Sequence, residues 1–150
     1  MTVRVQQEPF DPGAETNAFI GSAHGVGAVV TFTGLVRSLP DDPVASLTLD
    51  CYPDLALNQI DKMIAQAMAR FQLLAATVIH RYGKLDAGAP IVQVMTLAPH
   101  RQAAFEGAEF LMDYLKTEAP FWKKEETPGG AERWVESKAE DEDARARWYE

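Results

Sequence analysis

Basic residues cluster around one predicted helix and the aromatic-rich turn that follows it. His100 and Arg101 stand at the start of this helix, Lys116 at its end, and residues 120–125 read Pro-Phe-Trp-Lys-Lys-Glu. The chain as a whole is acidic, with 14 Lys plus Arg against 22 Asp plus Glu and a formal charge of −8. In an acidic protein, basic groups beside rigid apolar residues indicate a local anion site. The segment is therefore predicted to form the active-site wall of an enzyme acting on a small phosphorylated substrate.

The lysines near the end of this helix each allow a second interpretation. Lys116 falls in the last helical turn, where the helix dipole favours a cation. A solvated lysine that pairs with Asp113, three residues earlier on the helix, would occupy the same position. Lys123 and Lys124 directly follow two bulky aromatic residues, which usually pack and hold their neighbours in one geometry. A lysine pair on an exposed turn remains the alternative.

Arginine and histidine supply the other candidates for anion binding. Arg37 ends a strongly apolar strand, where an arginine either caps the surface or aims its planar fork at a phosphate, and both interpretations stay open. His100 and Arg101 lie at a predicted helix start, whose free N–H groups and positive dipole end favour an anion. The second pair, His80 and Arg81, lies inside a predicted strand and is expected to cap or pack.

The two ends of the helix cannot meet in one chain. With the α-helical rise per residue, His100 and Lys116 are separated by roughly 24 Å along the helix axis. One small substrate cannot touch both groups, so a shared site requires two chains, with the start of one helix close to the end of its partner. The sequence therefore predicts a two-fold dimer with composite sites.

Length and composition predict one domain of a cytoplasmic protein. A chain of 150 residues with 47% hydrophobic residues can bury a substantial core. No apolar run approaches a membrane span, the N-terminus alternates like a strand rather than a secretory signal, and no basic stripe suggests nucleic-acid binding. Cys51, the single cysteine, is predicted to be a buried small hydrophobe rather than a reactive thiol. The scattered histidines lack the spacing of a zinc site, so neither a metal nor a cofactor is expected.

The order of strands and helices favours an α+β fold with a mixed or antiparallel sheet covered by helices. The predicted strands cover residues 2–6, 28–37, 44–52, 77–82, 91–97 and 134–135. The predicted helices cover residues 14–23, a segment from Asp54 as N-cap through Phe71, and residues 101–117. The Pro/Asp-rich loop at 39–43 predicts that its two flanking strands form a hairpin. Residues 1–136 are expected to form a single catalytic domain, and 137–150 a charged C-terminal tail that is either a frayed helix or disordered.

Four segments together resemble one protein family. They read GAVVTFTGLVR at 27–37, VIHRYGKL at 78–85, HRQAAFE at 100–106, and MDYLKT followed by APFWKKE within 112–125. The match is to the large, catalytic subunit of molybdopterin synthase and extends from about residue 5 to Glu136. The resemblance implies an α/β-hammerhead type of fold.

The resemblance also implies a reaction and its partners. Members of the family add two dithiolene sulfurs to cyclic pyranopterin monophosphate, a step of molybdenum cofactor biosynthesis. The sulfur arrives as a thiocarboxylate on the C-terminal glycine of a small ubiquitin-like subunit. The implied assembly is a heterotetramer, in which a central dimer of this chain carries one small subunit at each end.

By resemblance, Lys116 and Lys123 are the catalytic pair, one stabilising the oxyanion formed at the thiocarboxylate and the other transferring protons. The implied substrate-binding positions are Leu35, Val36, Arg37, His100, Arg101, Lys116, Lys123, Lys124 and Glu125. A lysine base needs a lowered pKa, for which Lys124, Arg37 and Arg101 are the expected like charges. Whether the tail joins the site through Lys138 is left open.

Two other functions compete with this interpretation. A non-catalytic adaptor that binds a ubiquitin-like tail would need the aromatic turn and an apolar groove, but not Lys116. A phosphatase or other hydrolase is less well supported, because the sequence lacks a metal cluster and a Ser/His/Asp arrangement.

Overall fold

Two four-stranded sheets and four α-helices make up the part of the chain described by the computed structural model, residues 3–21, 24–136 and 138–149. The elements are β1 (Val3–Gln6), α1 (Pro12–Ile20), β2 (Ala28–Leu35), β3 (Ser46–Asp50), α2 (Pro53–Phe71), β4 (Ala75–Arg81), β5 (Gly83–Asp86), β6 (Pro90–Ala98), α3 (Arg101–Thr117), β7 (Trp122–Glu126), β8 (Glu132–Val135) and α4 (Ala139–Ala146), followed by a 3-10 turn at Arg147–Tyr149. Parts of three predicted segments, at Thr2, at residues 22–23, and at Ser137 and Glu150, lie outside the described residues.

The first sheet is mixed and has helices on both faces. Its order is β1-β4-β6-β2, with β1 parallel to β4 and the other neighbours antiparallel. On one face of the central strand β6, Thr96 donates a 2.7 Å hydrogen bond to the Ala104 carbonyl in α3. On the other face, Gln93 donates a 3.0 Å hydrogen bond to the Pro12 carbonyl in α1. Both faces of β6 are therefore buried, and the predicted α+β class is confirmed.

The second sheet is antiparallel throughout, in the order β5-β3-β7-β8. The predicted hairpin is therefore wrong: β2 pairs with β6, whereas β3 pairs with β5 and β7. The loop does turn the chain, since Leu39 and Asp42 bridge each other. Val36 and Val44 on either side are buried in a small core with Leu49 and Leu85. The strands on either side of the loop therefore belong to different sheets, although the residues flanking the loop share one small core.

Two strands were missed because their residues have low β propensity. β7 was predicted as part of an aromatic turn, yet its Lys-Lys-Glu-Glu run pairs with β3 on one side and β8 on the other. β5 was predicted as a connection between strands and instead forms an edge beside β3. Pairing across the sheet overrides the weak local preference in both segments.

The two long helices carry the predicted apolar faces. In α2, Ile60, Met63, Ile64 and Ala67 are buried, and Met68 and Phe71 pack against the same core. The helix begins two residues earlier than predicted, with Pro53 at its first position and Tyr52 as N-cap, so Asp54 is a first-turn carboxylate and not the cap. The predicted bounds of α3 agree with the structure, and Ala104, Ala108, Leu111 and Leu115 are buried in its core-facing side.

The charged C-terminal segment contains a helix, α4, and packs against α2 and α3. The Trp148 ring lies 5.5 Å from Phe71 and 5.6 Å from Phe110, both edge-on. Its indole Nε1 donates a 2.7 Å hydrogen bond to the Asp113 carboxylate, which also pairs with Arg147. One aromatic side chain in the 3-10 turn thus helps to hold the polar helix that precedes it.

We predict that Trp148→Ala releases α4 from the rest of the protein. The change removes a half-buried aromatic group and its hydrogen bond, and we expect a loss of about 2 kcal/mol in unfolding free energy. Chemical denaturation measures that loss, and limited proteolysis should cleave the segment after residue 137 faster. Tyr149→Ala is the control, because Tyr149 is 57% exposed and its removal should change stability little. Equal effects of the two variants would contradict this assignment.

Candidate active site

One open cavity of about 230 Å³ collects residues from both sheets, α3 and the C-terminal segment. Six of the nine predicted substrate-binding residues line it: Leu35, Val36, Arg37, Lys116, Lys123 and Glu125. The lining also includes Lys138 and Asp141, so the C-terminal segment contributes to the cavity. The lining residues include four cations and three carboxylates, in a protein whose formal charge is −8. The local charge balance thus favours an anion.

Lys116 and Lys123 come together because the chain reverses after α3. Lys116 lies in the last turn of the helix, and Lys123 is the second residue of β7. The amide N–H groups of Glu118 and Ala119 both donate to the Tyr114 carbonyl, which closes the helix end. Pro120 has no N–H to continue the helix. The two lysines therefore line the same cavity from a helix end and a strand start.

Alternation along β7 separates the two adjacent lysines. Lys123 and Glu125 line the cavity, whereas Lys124 lies between them on the strand. The Lys124 ammonium pairs with Glu132 at 3.4 Å and lies 5.7 Å from the centroid of the Trp134 ring. Lys124 is therefore not among the residues that line the cavity, because a strand presents neighbouring side chains on opposite faces, and its role in substrate binding stays a prediction.

Arg37 reaches the cavity from the end of the β2 segment. Val36 is buried and anchors the backbone, while Leu35 and Arg37 on either side of it are exposed and line the cavity. The two interpretations left open for Arg37 are thus compatible, since the residue is exposed and also lines the cavity. Glu125 does not cancel this charge, because its carboxylate is held by Arg133 at 2.7 Å.

Burial lowers the pKa of Lys123. The like charge of Lys116 adds to this effect, the carboxylate of Asp141 opposes it, and Lys138 lowers the pKa further. The direction agrees with the prediction for a catalytic lysine, but the causes differ. Desolvation comes first, and the cations responsible are Lys116 and Lys138 instead of the three expected from the sequence.

His100 and Arg101 do not line the cavity of their own chain. Both are exposed at the first end of α3, where His100 is the N-cap without a side-chain capping bond. The 17 residues of α3 separate them from the cavity at the other end, as the helix geometry requires.

His80 packs, as expected, and it also lies beside the lysine pair. Its ring is buried and stacks on Phe121, with centroids 4.0 Å apart and planes 16° from parallel. Burial lowers the pKa of His80 to about 4, the hydrogen bond with the Arg81 carbonyl opposes this, and Lys123 and Lys116 lower it further. It lines a smaller cavity of about 70 Å³ together with both lysines. Because His80 and Phe121 are far apart in the sequence, no local pattern revealed this contact.

Cys51 is only half-buried, which is less than predicted, because it lies just beyond Asp50, the last residue of β3. Burial nevertheless raises the pKa of the Cys51 thiol, and the neighbouring Asp50 carboxylate raises it further. The thiol is therefore protonated at neutral pH and is a poor nucleophile. It is also absent from the lining of both cavities.

Among residues 3–21, 24–136 and 138–149, no group of three or more His, Cys, Asp or Glu side chains is placed to hold a metal ion. Across the same ranges, no helix is long and apolar enough to cross a membrane.

Comparison with known proteins shows the family of this chain. A family model described as MoaE protein matches residues 5–118. The molybdopterin synthase catalytic subunit of Rhizobium meliloti is 50% identical over 149 residues, which cover 99% of this chain and 96% of that protein. The structure of molybdopterin cofactor biosynthesis protein E from Burkholderia multivorans has a TM-score of 0.82 and 44% identity, covering 99% of this chain and 97% of that one.

A more distant structure shares the fold. It is titled as a complex of subunits 1 and 2 of molybdopterin-converting factor from Helicobacter pylori, and has a TM-score of 0.74 and 20% identity, covering 93% of this chain and 92% of that one. The family model and the relative at 50% identity together cover nearly every residue described above. This chain therefore belongs to the MoaE protein family, the family of molybdopterin synthase catalytic subunits.

Proposed function

We propose that this chain transfers sulfur to cyclic pyranopterin monophosphate, forming the dithiolene of molybdopterin. The sulfur donor in this proposal is the C-terminal thiocarboxylate of a small ubiquitin-like subunit. The observation that carries the proposal is that Lys116, Lys123 and Arg37 line one cavity. Two amines and a guanidinium can together hold a thiocarboxylate and a phosphate, which are both anions.

The two lysines have different environments, which suggests different roles. Lys123 is half-buried and its pKa is lowered, chiefly by burial, so a larger fraction of its amine is neutral and able to accept a proton. Lys116 is exposed at the carboxyl end of α3, where the helix dipole stabilises a cation. We therefore assign proton transfer to Lys123 and stabilisation of the thiocarboxylate oxyanion to Lys116.

An external sulfur source is consistent with the chemistry of Cys51. A subunit that carried sulfur as its own persulfide would need an exposed cysteine with a lowered pKa, whereas burial raises the pKa of Cys51. A thiocarboxylate on the flexible tail of a partner removes that need, because the tail can enter an open cavity. The cytoplasmic location predicted from the sequence is part of this proposal.

We further propose that the complete site is composite. His100 and Arg101 lie at the far end of α3 from the cavity. A two-fold dimer in which this end of one chain approaches the cavity of the other would add an arginine and a helix N-terminus to the anion site. With a small subunit bound to each chain, the assembly is a heterotetramer.

The adaptor function is the alternative that the first experiment must exclude. We expect Lys116→Ala to lower the rate of molybdopterin formation by about 100-fold or more, because an oxyanion partner is lost. The assay contains the purified chain, the thiocarboxylated partner and cyclic pyranopterin monophosphate. Lys62→Ala on the exposed side of α2 is the control and should retain full activity. Unchanged product formation by Lys116→Ala, with partner binding intact, would favour the adaptor.

The proton-transfer role predicts how Lys123 titrates. Its reaction with an amine-acylating reagent, followed by mass spectrometry as a function of pH, should give a midpoint below the ordinary lysine pKa of 10.5. Lys116→Ala removes a like charge, so the midpoint should move to higher pH. Lys124→Ala, on the opposite face of β7, should leave it in place. A midpoint at the ordinary value in the unmodified protein would contradict the assigned role.

The composite site predicts complementation between two inactive variants. Mixed dimers of Lys116→Ala and Arg101→Ala chains contain one intact site each, so an equal mixture should recover about a quarter of the wild-type activity. The measurement requires that the chains be unfolded and refolded together, with each variant alone as control. Activity no greater than the sum of the separate variants would show that each chain supplies its own site.

A further inference from the structure

We propose that His80 is a positioning residue for the lysine pair, and that its Nε2 atom accepts a hydrogen bond from the Lys123 amino group, directly or through one water. This inference rests on the proposed function, because positioning Lys123 matters to the reaction only if Lys123 takes part. Three features of the His80 environment carry it: the tautomer, the fixed ring plane and the composition of the shared cavity.

The tautomer follows from a backbone contact. The Nδ1 atom of His80 lies 2.8 Å from the Arg81 carbonyl oxygen, which can only accept a hydrogen bond. Nδ1 therefore carries the proton. A neutral imidazole has a single N–H, so Nε2 is left with a lone pair and acts as an acceptor.

The ring is neutral because charge is disfavoured around it. The ring belongs to a residue of β4 and is buried. Its pKa is lowered to about 4, first by burial and then by the charges of Lys123 on β7 and Lys116 on α3. An imidazolium in this place would repel both ammonium groups, whereas a neutral acceptor attracts them. The hydrogen bond to the Arg81 carbonyl is not strong enough to reverse this preference.

The ring plane is fixed by Phe121. The two rings are stacked at 4.0 Å, and Phe121 is two residues before Lys123 at the start of β7. The stack therefore ties the segment that carries Lys123 to the first sheet. A histidine held in this way can present its lone pair in a constant direction.

The small cavity beside His80 is otherwise apolar. Its polar side chains among the described residues are His80, Lys116 and Lys123. The remaining lining consists of Phe32, Gly34, Leu35, Leu47, Leu49, Ile91, Val92, Met112 and Leu115. In such surroundings an amine and an imidazole lone pair are each other's best partners, because an unpaired polar group away from water is costly.

Two substitutions distinguish the effect of the Nε2 lone pair from the effect of the aromatic ring. His80→Phe keeps an aromatic surface against Phe121 and removes the acceptor. His80→Gln loses the ring but can place an amide oxygen near the former Nε2 position. His80→Asn keeps a donor for the Arg81 carbonyl without the distal acceptor, and replaces the phenylalanine variant if that protein does not fold. Thermal unfolding and partner binding establish that each variant is intact.

We expect His80→Phe to lower kcat by about 10- to 100-fold with KM little changed, because a misplaced catalytic group affects the chemical step. A hydrogen-bond acceptor stabilises the ammonium form, so its loss should also move the acylation midpoint of Lys123 to lower pH. His80→Gln should restore most of both properties. A structural role alone would not move the midpoint.

The proposal is overturned if His80→Phe leaves the Lys123 midpoint in place, whatever happens to kcat. It is also overturned if the midpoint moves equally in the phenylalanine and glutamine variants. The acylation measurement needs neither partner nor substrate, so it is independent of the proposed function. If the variants show the expected midpoint shifts but the wild-type chain forms no molybdopterin, the proposed function is refuted. The contact between His80 and Lys123 is then still supported.

Discussion

The reversal of the chain between α3 and β7 is the constraint on which the site depends. The helix ends with two backbone hydrogen bonds to the Tyr114 carbonyl, of 2.8 Å from Glu118 and 3.2 Å from Ala119. The chain then enters β7, where Lys123 is paired in register with Leu49 of β3. A helix one turn longer would carry Lys116 away from the strand, and a shift of β7 by one residue would turn Lys123 out of the cavity. The proximity of the two amines is thus a property of the backbone.

Burial gives this arrangement its chemical character. Lys123 is held among apolar residues and beside other cations, and both effects lower the pKa of its amino group. Asp141 on α4 opposes them, so the C-terminal segment affects the charge balance of the cavity as well as its walls. Trp148 keeps that segment against α2 and α3. An aromatic contact far from the lysines therefore helps to set the environment in which they act.

Elements defined by local pattern were predictable, and elements defined by distant pairing were not. The bounds of α3 followed from its apolar periodicity and from Pro120, and both features act within a few residues. β7 and the separation of β2 from β3 depend on partners elsewhere in the chain, so local pattern alone predicts a turn for the charged segment and a hairpin for the two strands. The error in β7 had a consequence for the site, since a turn gives no reason to place Lys123 and Lys124 on opposite faces.

Side-chain types indicated the chemistry of the site better than they indicated the contacts that hold its residues in place. The acidic composition made the local basic residues conspicuous, and six of the nine predicted binding residues line one cavity. The contact of His80 with Phe121 joins two residues about forty positions apart, and only the fold brings them together. The extent of burial of Cys51 depended in the same way on where β3 ends.

The most direct measurement is a crystal structure of this chain bound to a partner subunit that ends in a thiocarboxylate. The position to determine is that of the terminal sulfur relative to the side-chain nitrogens of Lys116 and Lys123. Our account predicts that the sulfur lies inside the shared cavity, within about 4 Å of at least one of these nitrogens, where a charge-assisted contact forms. A tail that ends elsewhere on the surface, with both amines directed into solvent, would contradict it.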